Sequence, residues 1–397
     1  MSGQDLAPEF LLAAACCRWP PSAERRGAIA AAAARVADWN GFLAVVRRQR
    51  IAGLAHAALS EAGIAPPAEI ARQLAARAQA IAQRNRALAA ETARLQGLFD
   101  AARIPALFVK GAALAQLAYG TLALKHARDI DLLVLPEQAA AAMLLLERDN
   151  YALRLPAAQM SEAQRRLYVQ YGHDVELVSR ERNASIELHW RLAYNMTLLR
   201  GIDARAPTQA VALLGGAVRT LADDALFAYL CVHGALHGWA RLKWLADLNA
   251  WLSGRGELER RYREADAVGA GLCAGLALLL CRRLFDLELP AGLQRALEQD
   301  KRLARLTRLS IAQMTRADDG EGVTSGTRIL LMQWLLRRDW HYWAAQGRYW
   351  AVGLPDVVML PLPRALHFLY PIVRLPLWLW RRAKTLGGTR VPPMQLR

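Results

Sequence analysis

Cysteine is scarce in this 397-residue sequence: five residues, Cys16, Cys17, Cys231, Cys273 and Cys281, with no Cys-x-x-Cys pair and no regular spacing. An odd set of this kind argues against a disulfide framework or a zinc site and points to reduced thiols in a cytoplasmic setting. No run stays apolar for the roughly 20 residues that a bilayer-crossing helix needs. The longest, AVGAGLCAGLALLL at 267–280, reads as a buried helix. The opening MSGQDLAPEF is polar and acidic, without a basic stretch ahead of an apolar segment, so no secretion signal is expected. Internal repeats are missing as well. So is any defined DNA- or RNA-binding motif, which places nucleic acid last among the partners of a basic chain.

What is present is a globular composition, 54% hydrophobic and 22% charged, in a chain long enough for two or three domains. The formal charge of +16 favours an anionic partner such as a nucleotide, a nucleic acid or a lipid headgroup. Half of that excess is local: residues 321–397 carry 11 basic and 3 acidic residues.

Residues 1–103 are rich in Ala, Leu and Arg at helical spacing, punctuated by WPPS at 19–22 and IAPPAE at 64–69. The proline-free stretch from Ala68 to Arg103 predicts one long helix, with Arg72, Arg77, Arg84, Arg86 and Arg94 mostly on its solvated face. At Ile104 the texture changes to IPALFV, a short strand, followed by KGAALAQLAYG, a turn and a helix. ARDIDLLVL predicts a strand, PEQAAAAMLLLERDN a helix with proline in its first turn, and YALRL a further strand. HDVELVS, RERNA and SIELHWRL then read as a hairpin with alternating arms. Beyond Ala204 the pattern is helical again, above all over 223–252, and the prolines of 354–384 are too many for one helix.

Side chains alternate across a strand, so Asp129 and Asp131 share one face. Two carboxylates that close repel unless a cation offsets them. Mg²⁺ is the natural partner, since it takes oxygen ligands and commonly joins one or two carboxylates to substrate phosphates; Mn²⁺ would serve similarly. Glu187, set between Ile186 and Leu188, supplies a third acid and shares a face with His189; Glu176 has the same local look, and a register shift would exchange the two. Gly111 lets the backbone approach a ligand, the helix that begins there offers free N–H groups to an anion, and Lys110 adds a point charge.

VKGAALAQLAYG, RDIDLLV and IELHW, in that order, resemble the nucleotidyltransferase superfamily of polymerase-β type, and specifically its bacterial branch known as the uncharacterised nucleotidyltransferase family. CVHGALHGWARLKWLADL is similar to that branch's helical motif, and the resemblance covers roughly residues 80–255. It implies an α+β fold, a small mixed β-sheet with flanking helices, plus N-terminal and C-terminal helical regions. It further implies that Asp129, Asp131 and Glu187 bind metal and that Lys110 and Gly111 meet the triphosphate of an NTP such as ATP. The usual Gly-Ser or Gly-Gly is here Lys-Gly-Ala, so Ala112 lacks the hydroxyl that would touch phosphate. Arg128 would meet phosphate or pair with a carboxylate. His173 and His189 read as general bases, substrate contacts or strand residues. His233 and His237, one helical turn apart, read as cleft residues or as packing, and Asp247 as their cap or as a partner of Arg241 or Lys243.

The expected organisation is an N-terminal helical region at 1–103, a catalytic α/β core at 104–200, a C-terminal helical domain at 201–320 and a basic, aromatic- and proline-rich tail at 321–397. The expected activity is Mg²⁺-dependent transfer of a nucleotidyl group from an NTP to an unknown hydroxyl or phosphate acceptor; the resemblance suggests polysaccharide or modified-peptide biosynthesis. The alternative is a non-catalytic, membrane-surface or complex-forming protein that keeps the fold. Trp378, Leu379 and Trp380 beside Arg381, Arg382 and Lys384 suit an anionic membrane surface, or a strap packed on the protein. A cytoplasmic protein, peripheral at the inner face of the membrane, would accommodate both.

Overall fold

The computed structural model describes residues 6–154, 160–316 and 323–386. Four helices, α1 (Pro8–Cys16), α2 (Ala23–Ala33), α3 (Trp39–Gln49) and α4 (Ala52–Glu61), precede the long α5 (Ala68–Ala101). Then come β1 (Leu107–Phe108), α6 (Gly111–Tyr119), β2 (Ile130–Leu133), α7 (Ala139–Arg148), β3 (Ala152–Leu153), α8 (Glu162–Tyr171), β4 (Asp174–Ser179) and β5 (Ala184–His189). A second hairpin, β6 (Thr208–Leu213) and β7 (Gly216–Leu221), leads into α9 (Asp223–Leu236), α10 (Leu242–Leu252), α11 (Leu258–Ala267), α12 (Gly271–Phe285), α13 (Ala291–Gln299) and α14 (Lys301–Thr315). The tail forms α15 (Val323–Gln333), α16 (Trp340–Ala351), α17 (Leu354–Met359) and α18 (Tyr370–Leu386). The fold is therefore mixed α+β, a small sheet among many helices.

The five-stranded sheet runs β1-β2-β5-β4-β3. β2 and β5 are parallel and the other neighbours antiparallel. The register sets Asp131 opposite Glu187 and Leu133 opposite His189, while Glu187 in turn faces Glu176. One sheet face is thus a polar row, and the other buries Ile130, Leu132, Ile186 and Leu188 in a core with α5 and α7. Trp190, fully buried just past β5, donates its indole N–H to the carbonyls of Val169 and Gly172, 2.9 Å each, and so ties the strand end to α8. A second core joins α1–α4 to α9–α14 through Leu107, Leu114 and Tyr119.

α5 covers the predicted long helix almost to the residue, and the apolar run at 267–280 lies largely within the buried α12. The expectation of helix beyond Ala204 fails at 208–221, which is the β6–β7 hairpin. Its two-residue turn places both Leu214 (φ 48°) and Gly215 (φ 83°) in the left-handed region, as a primed turn requires. The alternation that marks the arms is confined to Val211 and Leu213 on one and Val218 on the other, too short to compete with the surrounding leucines. The helix read over 223–252 is two, broken where Gly238 and Trp239 take positive φ. Among the described residues no helix is long and apolar enough to cross a membrane.

Candidate active site

Two features of α5 shape the site before any acid is considered. Asn85, buried, donates 2.5 Å hydrogen bonds to the carbonyls of Leu122 and Lys125. Arg84 donates to the carbonyls of Asn183 (2.5 Å) and Arg128 (3.1 Å). The segment between α6 and β2, which has no regular structure, is held in place by these two residues. It carries Lys125, His126, Arg128 and Asp129 to the rim of the sheet. Arg84 is therefore a strut and not a purely solvated residue.

Asp131, Glu187 and His189 converge: one ligand atom from each lies within 4.8 Å of the others. His189 Nε2 stands 3.6 Å from Asp131 Oδ1 and 3.7 Å from Glu187 Oε2, beyond hydrogen-bond reach, and neither ring nitrogen has a hydrogen-bond partner among the described residues. Lys110 Nζ lies 2.5 Å from the same Oδ1, an ionic contact outside hydrogen-bond geometry, so that this buried oxygen has no donor either. Lys110 also sits over the Tyr229 ring at 5.9 Å, bringing α9 to the site.

The electrostatics follow from this crowding. Burial, then the charges on Asp131 and Glu187, push the Asp129 carboxyl up to about 6. For Asp131 burial acts in the same sense, but Lys110 and His189 overcome it and hold the carboxyl below its ordinary range. Burial disfavours the charge on His189, yet the carboxylates of Asp131 and Glu187 outweigh it and raise the imidazole to about 10. Lys110 is likewise opposed by burial and held well above its usual value by Asp131 and its neighbours. The acids thus keep two cations beside them, the charge balance that a divalent ion would otherwise provide.

A cavity of about 40 Å³ lies against Lys110, Gly111, Lys125, Asp129, Asp131 and Lys243. Gly111 (φ 56°) starts α6 there, and a methyl group added to it would meet only the Asp129 carbonyl at 3.5 Å; the left-handed backbone, not space, demands glycine. Lys125 turns out to be anchored, 2.5 Å from Asp247, which also accepts from the Tyr119 hydroxyl at 3.0 Å. Asp247 is thus the partner of Lys125, not of Lys243. Lys243 is pushed down to about 7 by burial and by Lys125 and Arg50. His126 is pushed down to about 3 by burial and Lys243, and burial with Lys110 holds His233 well below its ordinary value, so both rings are neutral.

Of the residues singled out from the sequence, Lys110, Gly111, Asp129, Asp131 and His233 share this cavity, and Glu187 and His189 adjoin it through Asp131. His173 lies behind His189, its Nε2 3.5 Å from Asp174. His237 stacks on Trp244 at 5.0 Å, next to His233 at 4.6 Å. Arg128 is exposed on the far side of Asp129. Sequence reasoning missed Lys125 and His126, and read Lys243 only as a partner for Asp247 and not as a cavity residue. The available signal was scarcity: only five of the 51 basic residues are lysines, and three of them line this cavity.

A family model described as "Uncharacterised nucleotidyltransferase" matches residues 35–286, more than half of the chain. The match takes in α5, the whole sheet, and α9 and α10. No curated protein matches the chain.

Proposed function

We propose, since this chain belongs to the uncharacterised nucleotidyltransferase family, that it moves a nucleotidyl group from a nucleoside triphosphate to an acceptor oxygen and releases pyrophosphate. The observation that carries this reading is the convergence of Asp131 and Glu187 on neighbouring parallel strands, one residue pair of the register, beside the helix that starts at Gly111. The residues fit a hard divalent cation. Two carboxylates face one point, and among the described residues a buried Asp131 oxygen lacks a hydrogen-bond donor. Asp129, Asp131 and Glu187 would hold Mg²⁺ or Mn²⁺, which when bound supplies charge neutralisation at the α-phosphate.

The protein's own groups do the rest. Lys110 and the free N–H groups at the start of α6 receive the triphosphate, as a helix N-terminus and an ammonium suit an anion. The cavity there is lined by Lys110, Lys125 and Lys243; Lys125 is held by Asp247, so a nucleotide enters as Lys110 and Lys243 give way. The acceptor oxygen bonds to the α-phosphorus as the bond to the bridging oxygen of pyrophosphate breaks. When the acceptor is a hydroxyl, its proton passes to Glu187, since His189 already carries its proton beside Asp131 and Glu187. Catalysis of this kind is positioning plus charge stabilisation.

The test compares wild type with Asp131→Asn and with an Asp129→Asn, Asp131→Asn double variant in Mg²⁺, each labelled NTP in turn. Wild type should bind metal and one or more NTPs, and the variants should lose metal-dependent binding. Equal binding by all three would sink the proposal.

A second reading concerns the tail. Phe368 and Ile372 are 68% and 67% exposed, and Leu379 and Trp380 are exposed too, an apolar surface beside basic residues that suits an anionic membrane. The same segment packs through buried Val357 and Tyr370, and His367 bonds Tyr171 at 2.7 Å, so the tail is both strap and exposed surface. The side chains of Trp378, Arg381, Arg382 and Lys384 lie outside the described residues. Flotation with anionic liposomes decides it: unchanged association of a Phe368→Ser, Ile372→Ser variant would remove the tail as the contact.

A further inference from the structure

Asp129 stands between two cavities. On the β1 and α6 side is the lysine-lined one already described. On the β5 and β4 side is a larger cavity of about 330 Å³, lined by Arg84, His126, Arg128, Asp129, Arg154 and Ser185 among others. Nothing in the triphosphate assignment uses it. We infer that this second cavity is the acceptor subsite and that the acceptor is a phosphomonoester whose phosphate is gripped by Arg128. The inference rests on the nucleotidyl-transfer reading above.

Three observations support it. The first is geometric. In-line displacement sets the attacking oxygen and the departing pyrophosphate on opposite sides of the α-phosphorus. With the triphosphate against Lys110 and Gly111, the attacking group approaches from the far side of Asp129, where this cavity opens. The second is charge. Arg154 is neutralised by Glu176 at 2.9 Å, and Ser185 donates to the same carboxylate at 2.9 Å. Arg84 and Arg128 have no acidic partner among the described residues, which leaves the cavity positive beside an acid-rich centre. Guanidinium groups match phosphate with paired N–H donors, the geometry an ammonium lacks. The third is rigidity. Arg84 holds the Arg128 carbonyl at 3.1 Å and the turn after β4 at 2.5 Å, fixing the backbone on which Arg128 stands next to Asp129. The volume sits at the small end of ligand sites, room for a compact phosphoester and not for a polymer chain.

The reaction balances without an added base. A phosphomonoester is largely a dianion near neutral pH, with a second pKa of about 6. One of its oxygens forms the new bond to the α-phosphorus, the bond from that phosphorus to the bridging oxygen breaks, and pyrophosphate leaves with its electron pair. The product carries a new diphosphate linkage.

Isothermal titration at constant ionic strength, with Mg²⁺ present, tests this on the full-length chain using glycerol 3-phosphate, glycerol and a nonhydrolysable ATP analogue. Wild type should bind glycerol 3-phosphate and not glycerol. Arg128→Gln, exposed and so able to fold, should weaken glycerol 3-phosphate by roughly tenfold while shifting the nucleotide less than about twofold; Lys110→Met should do the reverse. Unchanged glycerol 3-phosphate affinity in Arg128→Gln overturns the inference, as does a wild type that ignores the probe. Equal loss of nucleotide and phosphoester in Arg128→Gln also overturns it, by making the cavity part of the nucleotide site. Should wild type bind glycerol 3-phosphate but no nucleotide, the nucleotidyl-transfer reading fails separately, and the cavity stands only as an anion site.

Discussion

The Lys125–Asp247 pair offers a test of how the C-terminal helices are locked to the sheet. The two side chains are 6% and 5% exposed, 2.5 Å apart, and come from segments 122 residues apart in the chain. The Tyr119 hydroxyl, donating to the other Asp247 oxygen, completes the buried set. Asp247→Asn keeps the shape and the oxygen that Tyr119 needs but strands the Lys125 ammonium. Breaking one side of a buried pair costs about 3–5 kcal/mol, because the remaining charge has lost water and partner alike. Lys125→Met leaves the Asp247 carboxylate with Tyr119 alone and should cost a similar amount. The double variant removes both charges, so it should cost less than the sum of the two single losses, by a coupling energy of about 2–3 kcal/mol. Urea unfolding followed by tryptophan fluorescence measures all four proteins. Simple additivity of the two losses would refute the reasoning, since it would mean that each charge is solvated independently. The same proteins sort strut from ligand: if Lys125 is occupied by Asp247, the double variant keeps its nucleotide affinity within about twofold.

Three further outcomes are expected. Lys243, held down to about 7 by burial and nearby cations, is charged below that pH and neutral above it, so nucleotide affinity should fall as pH rises through 7. Lys243→Met should flatten that dependence, and a wild-type profile already flat between pH 6 and 8 would count against a role for Lys243. Asn85→Ala strips the buried Lys125 carbonyl and the part-buried Leu122 carbonyl of their donor, at about 1–3 kcal/mol for a buried one; because the freed segment carries Asp129, turnover should drop more than the melting temperature alone explains. Gly234 lies flat under the Trp239 indole, whose ring atoms would come within 2.3–2.4 Å of an added methyl. Gly234→Ala should therefore cost about 1–3 kcal/mol, read as a lower melting temperature, and a neutral result would mean that the α9–α10 corner is loose.

Much of the site was legible in the sequence because strands repeat every two residues. Glu187 and His189, both in β5, had to share a face; Asp129 lies just ahead of β2, so the alternation of that strand reaches Asp131 and not Asp129. The long α5 was legible from uninterrupted helix formers, and the turn at Gly111 from the glycine. The β6–β7 hairpin was not, since its arms hold too few alternating residues to outweigh a leucine-rich context. The role of Arg84 was hidden for a different reason: an arginine that braces two backbone carbonyls has the same sequence environment as one in water.

Local pattern, then, determined which residues could face a ligand, through periodicities of two and 3.6 that belong to single segments. Tertiary structure alone decided who meets whom. The parallel pairing of β2 with β5 made Glu187, with Glu176 one strand further out, the acid beside Asp131. The packing of α10 against α6 brought Asp247 to Lys125 and Lys243 to the cavity. Such juxtapositions arise from burying apolar faces that lie far apart in the chain, 122 residues for Lys125 and Asp247, and no short window of sequence contains both partners.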